Sequence, residues 1–183
     1  MRIVAGAAKG RRLAVPAKGT RPTSERAREA LFNSLRSLLD IDGARVLDLF
    51  AGSGAVGLEA LSRGASEVTF VESDRDAADV LRRNIGTVGL PGATLIRRPV
   101  AAVLDSEPDT PYDLVFADPP YPLSDADVGT LLGRLPKSHW LAVNAVVIVE
   151  RSARGEPLVW PEGVAPVMNR RYGEGQLWYG RPR

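Results

Sequence analysis

From Arg45 onward, short apolar runs of strand length alternate with segments of helical periodicity, and this alternation restricts the chain to an α/β layer architecture. Strands are expected over Arg45 to Phe50, Glu67 to Glu72, Ala93 to Ile96, Asp113 to Ala117 and Ala145 to Glu150. Helices are expected between them, over Ala55 to Ser62 (closed by Gly64), Asp74 to about Ile85, Val100 to Leu104 and Asp125 to Leu135. Strands joined through helices run parallel, so the expectation is a doubly wound, mostly parallel sheet. The last two runs differ. Val164 to Asn169 and Gly175 to Tyr179 are joined only by a turn at Tyr172-Gly173, and should pair antiparallel at the sheet edge. Upstream, a helix should begin with Thr23 or Ser24 as N-cap. It places Ala27, Leu31, Leu35, Leu38 and Leu39 on one face and ends before Asp42-Gly43.

At 183 residues the chain supports one domain with an extension. Its 44% apolar and 25% charged residues are a globular composition. No apolar run approaches the ~18 residues of a membrane span. Ile3 to Ala8, between Arg2 and Lys9, is too short for a secretory core, so a cytoplasmic protein without membrane contact is expected. The absence of cysteine excludes disulfides and thiolate metal sites, and a single histidine argues against zinc. The net charge of +2 is unevenly spread: Met1 to Arg36 holds nine basic and two acidic residues, or 9 − 2 = +7. A basic arm or short hairpin over residues 1–22, ahead of a near-neutral domain over residues 23–183, suits a polyanion partner; a solvated tail is the plain alternative.

After the first strand, Asp48-Leu49-Phe50-Ala51-Gly52-Ser53-Gly54-Ala55-Val56-Gly57 ends in GxGxxG. Such a turn lets a ligand approach the backbone and aims the helix N-terminus at it. Glu72 closes the second strand, 72 − 54 = 18 residues beyond Gly54, where a carboxylate can accept both hydroxyls of a ribose. A nicotinamide cofactor and S-adenosylmethionine fit these features equally. Asp48 favours the second, because a carboxylate beside the glycine turn suits the ammonium of a methionine moiety and not a pyrophosphate. His139, between a helix and a strand, is expected at the surface or in packing.

The apolar run Leu114 to Ala117 leads into Asp118-Pro119-Pro120-Tyr121. The Asp118 carboxylate and an adjacent carbonyl can both accept from an exocyclic amine, the prolines stiffen the turn, and Tyr121 can lie over a flat base. A proline-stiffened turn with Tyr121 filling a gap is the alternative.

With DLFAGSG, Glu72 and DPPY in this order, the chain resembles class I S-adenosylmethionine-dependent methyltransferases acting on exocyclic amines. Its amino-terminal residues Arg2 to Gly6, Lys9-Gly10-Arg11 and Arg21 to Asn33, with Arg171-Tyr172-Gly173, resemble the bacterial RsmD family of small-subunit ribosomal RNA guanine-N2 methyltransferases. The resemblance covers nearly the whole chain. It implies a seven-stranded Rossmann-like sheet, S-adenosylmethionine as donor, and as acceptor one guanine of 16S ribosomal RNA, guanine 966, in the 30S subunit or its assembly intermediate. A monomer is expected.

On this resemblance Asp48, Ala51, Gly52, Ser53 and Gly54 hold the methionine part and Glu72 the ribose, with Asp118 at the junction with the acceptor. Arg97-Arg98-Pro99-Val100 stands where relatives carry an acidic or amide residue, so the Val100 backbone is expected to hold the adenine. Asp118 and the Pro119 carbonyl would accept the N2 hydrogens while Tyr121 stacks on the base. Arg2, Lys9, Arg11, Arg12, Arg21 and Arg26 are the expected phosphate contacts, and Thr23 and Phe32 the candidates for closing the site. An adenine-N6 methyltransferase and a non-catalytic RNA-binding assembly factor are the alternative readings.

Overall fold

The computed structural model describes residues 1–18 and 23–183, so Arg21 lies outside the described residues. Seven strands form one sheet: β1 (Arg45–Leu49), β2 (Glu67–Val71), β3 (Ala93–Ile96), β4 (Tyr112–Ala117), β5 (Leu141–Ser152), β6 (Val164–Tyr172) and β7 (Gly175–Pro182). The helices are α1 (Glu25–Leu35), α2 (Ala55–Ser62), α3 (Arg75–Val88), α4 (Val100–Leu104) and α5 (Asp125–Lys137). The spatial order β3-β2-β1-β4-β5-β7-β6 runs parallel from β3 to β5, and β7 is antiparallel to both its neighbours. This is the Rossmann-like methyltransferase fold. Strand order reverses between β1 and β4, which opens a crevice at their carboxyl ends.

Several boundaries moved, among them the ends of α3 at Val88, α5 at Lys137, β6 at Tyr172 and β7 at Pro182. α1 stops at Leu35, and Leu38 and Leu39 pack on the core from a following turn. β5 begins at Leu141, four residues before Ala145, because Tyr112 pairs with Leu141 ahead of a register shift. Ser24, not Thr23, caps α1, accepting from the Ala27 N–H at 3.0 Å.

The period-2 alternation of strands assigns each side chain to one face. Val46, Val68, Phe70, Leu114, Phe116, Val146 and Ile148 face α1, α2 and α3, whereas Leu47, Val71, Val115, Val147 and Val149 face α4 and α5. Continued to the strand ends, the same parity puts Asp48, Glu72, Asp118 and Glu150 on the α1–α3 side.

The basic amino-terminal segment is a docked hairpin. It is closed by Ile3 N–H to the Arg11 carbonyl at 3.0 Å and Leu13 N–H to the Met1 carbonyl at 2.8 Å. Ile3, Ala8 and Leu13 are buried in the same cluster as Leu31 and Leu58, so the segment shares the core of the domain. Buried Glu59 of α2 accepts from Val4 N–H at 2.8 Å and Ala5 N–H at 3.0 Å, and pairs with Arg28 Nε at 3.1 Å and Arg63 Nε at 2.9 Å. Arg28 and Glu59 are both fully buried, and Arg28 also donates to the Arg2 carbonyl. One ionic cluster thus fastens the hairpin and α1 to α2. Among the described residues no helix is long and apolar enough to cross a membrane.

Candidate active site

The crevice opens into a cleft of ≈ 1320 Å³, with Phe50, Glu72, Asp118, Pro119, Tyr121, Glu150 and Tyr172 among its lining residues. Lys18, Thr23 and Arg26 also line it, as do Arg151, Arg171 and Gly175. The lining therefore carries both signs: the acids Glu72, Asp74, Asp76, Asp118, Glu150 and Glu174, and the bases Lys18, Arg26, Arg151 and Arg171. A smaller cavity of ≈ 40 Å³ reaches down beside Asp48, Ala51, Ser53 and Asp118.

The glycine turn is built for close approach. Gly52 and Gly54 have φ of 56° and 80°, and a Cβ on Gly54 would overlap the Leu81 side chain. Phe50 adopts φ 57°, a left-handed conformation unusual for a bulky aromatic, at the point where β1 leaves the sheet and meets the cleft. Gly52 N–H donates to Glu72 Oε1 at 2.8 Å, while Asp74 N–H donates to Oε2 at 3.0 Å, so the turn and the ribose candidate are held as one unit. Asp48 is 1% exposed and accepts from Gly57 N–H at 3.0 Å. Burial pushes its carboxyl from an ordinary 3.8 up to about 8, against the Gly57 hydrogen bond, with Glu72 adding a smaller upward push.

A buried carboxyl with so costly a charge, at the bottom of a small polar cavity, suits a ligand that brings its own cation. The ammonium of S-adenosylmethionine meets that requirement, and Glu72 offers paired acceptors to a diol, so the residues present fit this donor. Val100 lies outside the cleft lining, its side chain in the second core cluster, and any contact to an adenine would come from its backbone.

Asp118 lies at the end of β4, with its carboxyl held well above the usual range by burial first, then by Glu150 and Asp48, against Arg151. Tyr121 is 63% exposed and stands free at the mouth, available to a flat ligand. Thr23 lines the cleft and its hydroxyl donates to Glu150 Oε2 at 3.5 Å. Phe32 does not reach the cleft. It is buried in the core with the Arg63 guanidinium 4.7 Å above its ring, because the helical face that carries Leu31 and Leu35 turns it inward. Lys9, Arg12 and Arg26 are exposed; Arg2 pairs with Glu25 at 3.7 Å, and Arg11 donates to the Val88 carbonyl. His139 is exposed, 3.3 Å from Glu107 and away from the cleft.

Three functional features escaped the sequence reading. Glu150 ends an apolar strand just as Glu72 does, and that parallel was the available signal. Asn84 of α3 is buried; it accepts from Ala14 N–H at 2.8 Å and donates to the carbonyls of Ala14 and Ser53, each at 2.9 Å, linking the basic hairpin to the glycine turn. The β6–β7 turn, Arg171 to Gly175, lines the cleft because β7 pairs with β5, Gly175 opposite Ser152, a long-range contact that the local hairpin pattern does not announce. No group of acidic and histidine side chains that could hold a metal occurs among the described residues.

The family model described as conserved hypothetical protein 95 matches residues 1–181. The chain is 39% identical over 166 residues to ribosomal RNA small subunit methyltransferase D of Haemophilus influenzae, covering 88% of this chain and 83% of the relative. The protein of the same name from Escherichia coli K12 is 40% identical over 151 residues, covering 82% and 74%. The solved structure of Escherichia coli yhhF superposes with a TM-score of 0.85 at 33% identity, over 100% of this chain and 97% of that one. The chain belongs to the RsmD family, whose class I methyltransferase fold it shares.

Proposed function

We propose that the protein transfers a methyl group from S-adenosylmethionine to the exocyclic N2 of a guanine in small-subunit ribosomal RNA, at the nucleotide the resemblance implies, guanine 966. The observation that carries this reading is the meeting of Asp118-Pro119-Pro120-Tyr121 with Asp48 and Glu72 around one crevice that Lys18, Arg26 and Arg171 also line. Relatives at 39% and 40% identity that are named for ribosomal RNA methylation support the choice of acceptor.

When bound, S-adenosylmethionine supplies an electrophilic methyl group on a sulfonium. Asp48 and the Ala51 to Gly54 turn hold the methionine end, and Glu72 accepts from the ribose hydroxyls. The N2 lone pair of guanine is delocalised into the ring, so orientation is the main lever left to the protein. Asp118 and the Pro119 carbonyl accept the two N2 hydrogens and aim the nitrogen, while Tyr121 stacks on a base splayed out of the RNA. The proton lost from N2 after the C–N bond forms and the S–CH3 bond breaks passes to Asp118 in its ionised form, which burial makes the stronger base, or to water.

Lys9, Arg12 and Arg26 present exposed cations for the phosphate backbone, and Arg2 and Arg11 shape the hairpin that carries the first two. We place Arg21 in the same grip on sequence grounds alone. The test is transfer of tritiated methyl to small subunits from a strain lacking the enzyme. Incorporation at one site by the wild type, lost in Asp118→Ala, is expected; equal incorporation by both proteins would refute the reading.

A further inference from the structure

Glu150 has no role in the mechanism above, yet its position is tightly specified. Ala117 pairs with Val149, so Asp118, just past the end of β4, lies beside Glu150, which is still within β5 and paired to Leu177, and strand parity sends both to the same face. Both line the cleft. The Glu150 carboxylate is fixed from two directions: Thr23 donates to Oε2 at 3.5 Å, and Oε1 lies 3.0 Å from where a Cβ on Gly175 would stand, so glycine there leaves the carboxylate its room. Its neighbour Arg151 is engaged elsewhere, donating to the Leu123 carbonyl at 3.1 Å and to Asp125 at 2.8 Å.

Two adjacent acceptors ask for a ligand edge made of donors. The Watson–Crick edge of guanine presents N1–H beside N2–H2, a continuous row of donors. Adenine presents an acceptor at N1 beside its N6 amine, and would set a lone pair against a carboxylate. We infer that Glu150 selects guanine by accepting the N1–H of the target base, beside Asp118, which accepts from the exocyclic amine. This rests on the reading of the cleft as a guanine-N2 site and adds to it the residue that sets base identity. Sites built to hydrogen-bond a substrate reject analogues lacking the donor far more strongly than apolar sites do. Thr23 donates to Oε2, and Oε1 accepts from no protein donor among the described residues, which leaves it to the base.

The experiment compares kcat/KM on small subunits reconstituted with guanine or with 2-aminopurine at the target, the latter keeping the N2 amine but lacking N1–H. The wild type is expected to prefer guanine by about 10- to 100-fold, as loss of a buried hydrogen bond that leaves its partner unsatisfied does. In Glu150→Ala that preference should fall by at least ~10-fold while S-adenosylmethionine affinity, measured by calorimetry, stays within about twofold. Glu150→Gln keeps the shape and one acceptor, covers the case in which alanine impairs folding, and should recover part of the preference. A guanine preference in Glu150→Ala equal to the wild type's, or none in the wild type, overturns the role of Glu150 alone. Methylation of an adenine by the wild type overturns the guanine reading itself and this inference with it.

Discussion

Asp48 offers the sharpest test of how the cofactor pocket is charged. In the unfolded chain its carboxyl titrates near 3.8, and in the folded, unliganded protein burial holds it near 8. Above 3.8 the unfolded state ionises while the folded state keeps its proton. The Asp48 contribution to stability therefore falls as pH rises from 3.8 and levels off above about 8. That interval spans roughly four pH units at about 1.36 kcal/mol each, so the penalty at pH 8 is on the order of 5 kcal/mol. Asparagine can still accept from Gly57 N–H but carries no charge to bury. Asp48→Asn should be nearly as stable as the wild type at pH 4 and more stable by several kcal/mol at pH 8, read from urea unfolding at matched m-values. The same variant should lose at least ~10-fold in S-adenosylmethionine affinity, because the ligand ammonium loses its counter-charge. A stability difference that does not change between pH 4 and pH 8 would refute the argument that burial of Asp48 is the source of the strain.

Asp118→Ala should bind S-adenosylmethionine nearly normally and lose at least ~100-fold in turnover, separated by calorimetry and single-turnover kinetics. Asn84→Ala leaves Ala14 and Ser53 without their buried partners and should cost about 2 to 4 kcal/mol in urea unfolding; loss below about 1 kcal/mol would mean water replaces the amide. Arg28→Ala strands the fully buried Glu59 carboxylate beside Arg63 alone and should cost about 3 to 5 kcal/mol, with the amino-terminal hairpin showing faster hydrogen exchange. Replacing Lys9, Arg12 and Arg26 by alanine together should reduce the slope of log affinity against log salt by roughly 2 to 3, and an unchanged slope would move the RNA grip elsewhere.

The sheet was readable because its strands are short apolar runs bounded by turn residues, and β3, α2 and α4 ended where their periodicity ended. The strand-end carboxylates Asp48, Glu72 and Asp118 were readable for the same reason, since the end of a buried strand is where a charge can reach the crevice. Glu150 was passed over although it obeys that rule, because its meaning depends on the register between β4 and β5 and not on any local motif. The hairpin at residues 1–18 was read by its charge, which hid the three apolar residues, Ile3, Ala8 and Leu13, that bury it. Phe32 was misplaced because a helix start near a site does not reveal which face turns toward it, a question settled by packing against α2 and Arg63.

Base identity is the claim on which the account stands. The direct measurement incubates the wild-type protein with S-adenosylmethionine carrying a heavy methyl group and with small subunits from a strain lacking the enzyme. The RNA is then digested to nucleosides and analysed by mass spectrometry. Heavy N2-methylguanosine at about one per subunit is the expected product. Heavy N6-methyladenosine, or no labelled nucleoside while the donor binds, would contradict the guanine reading.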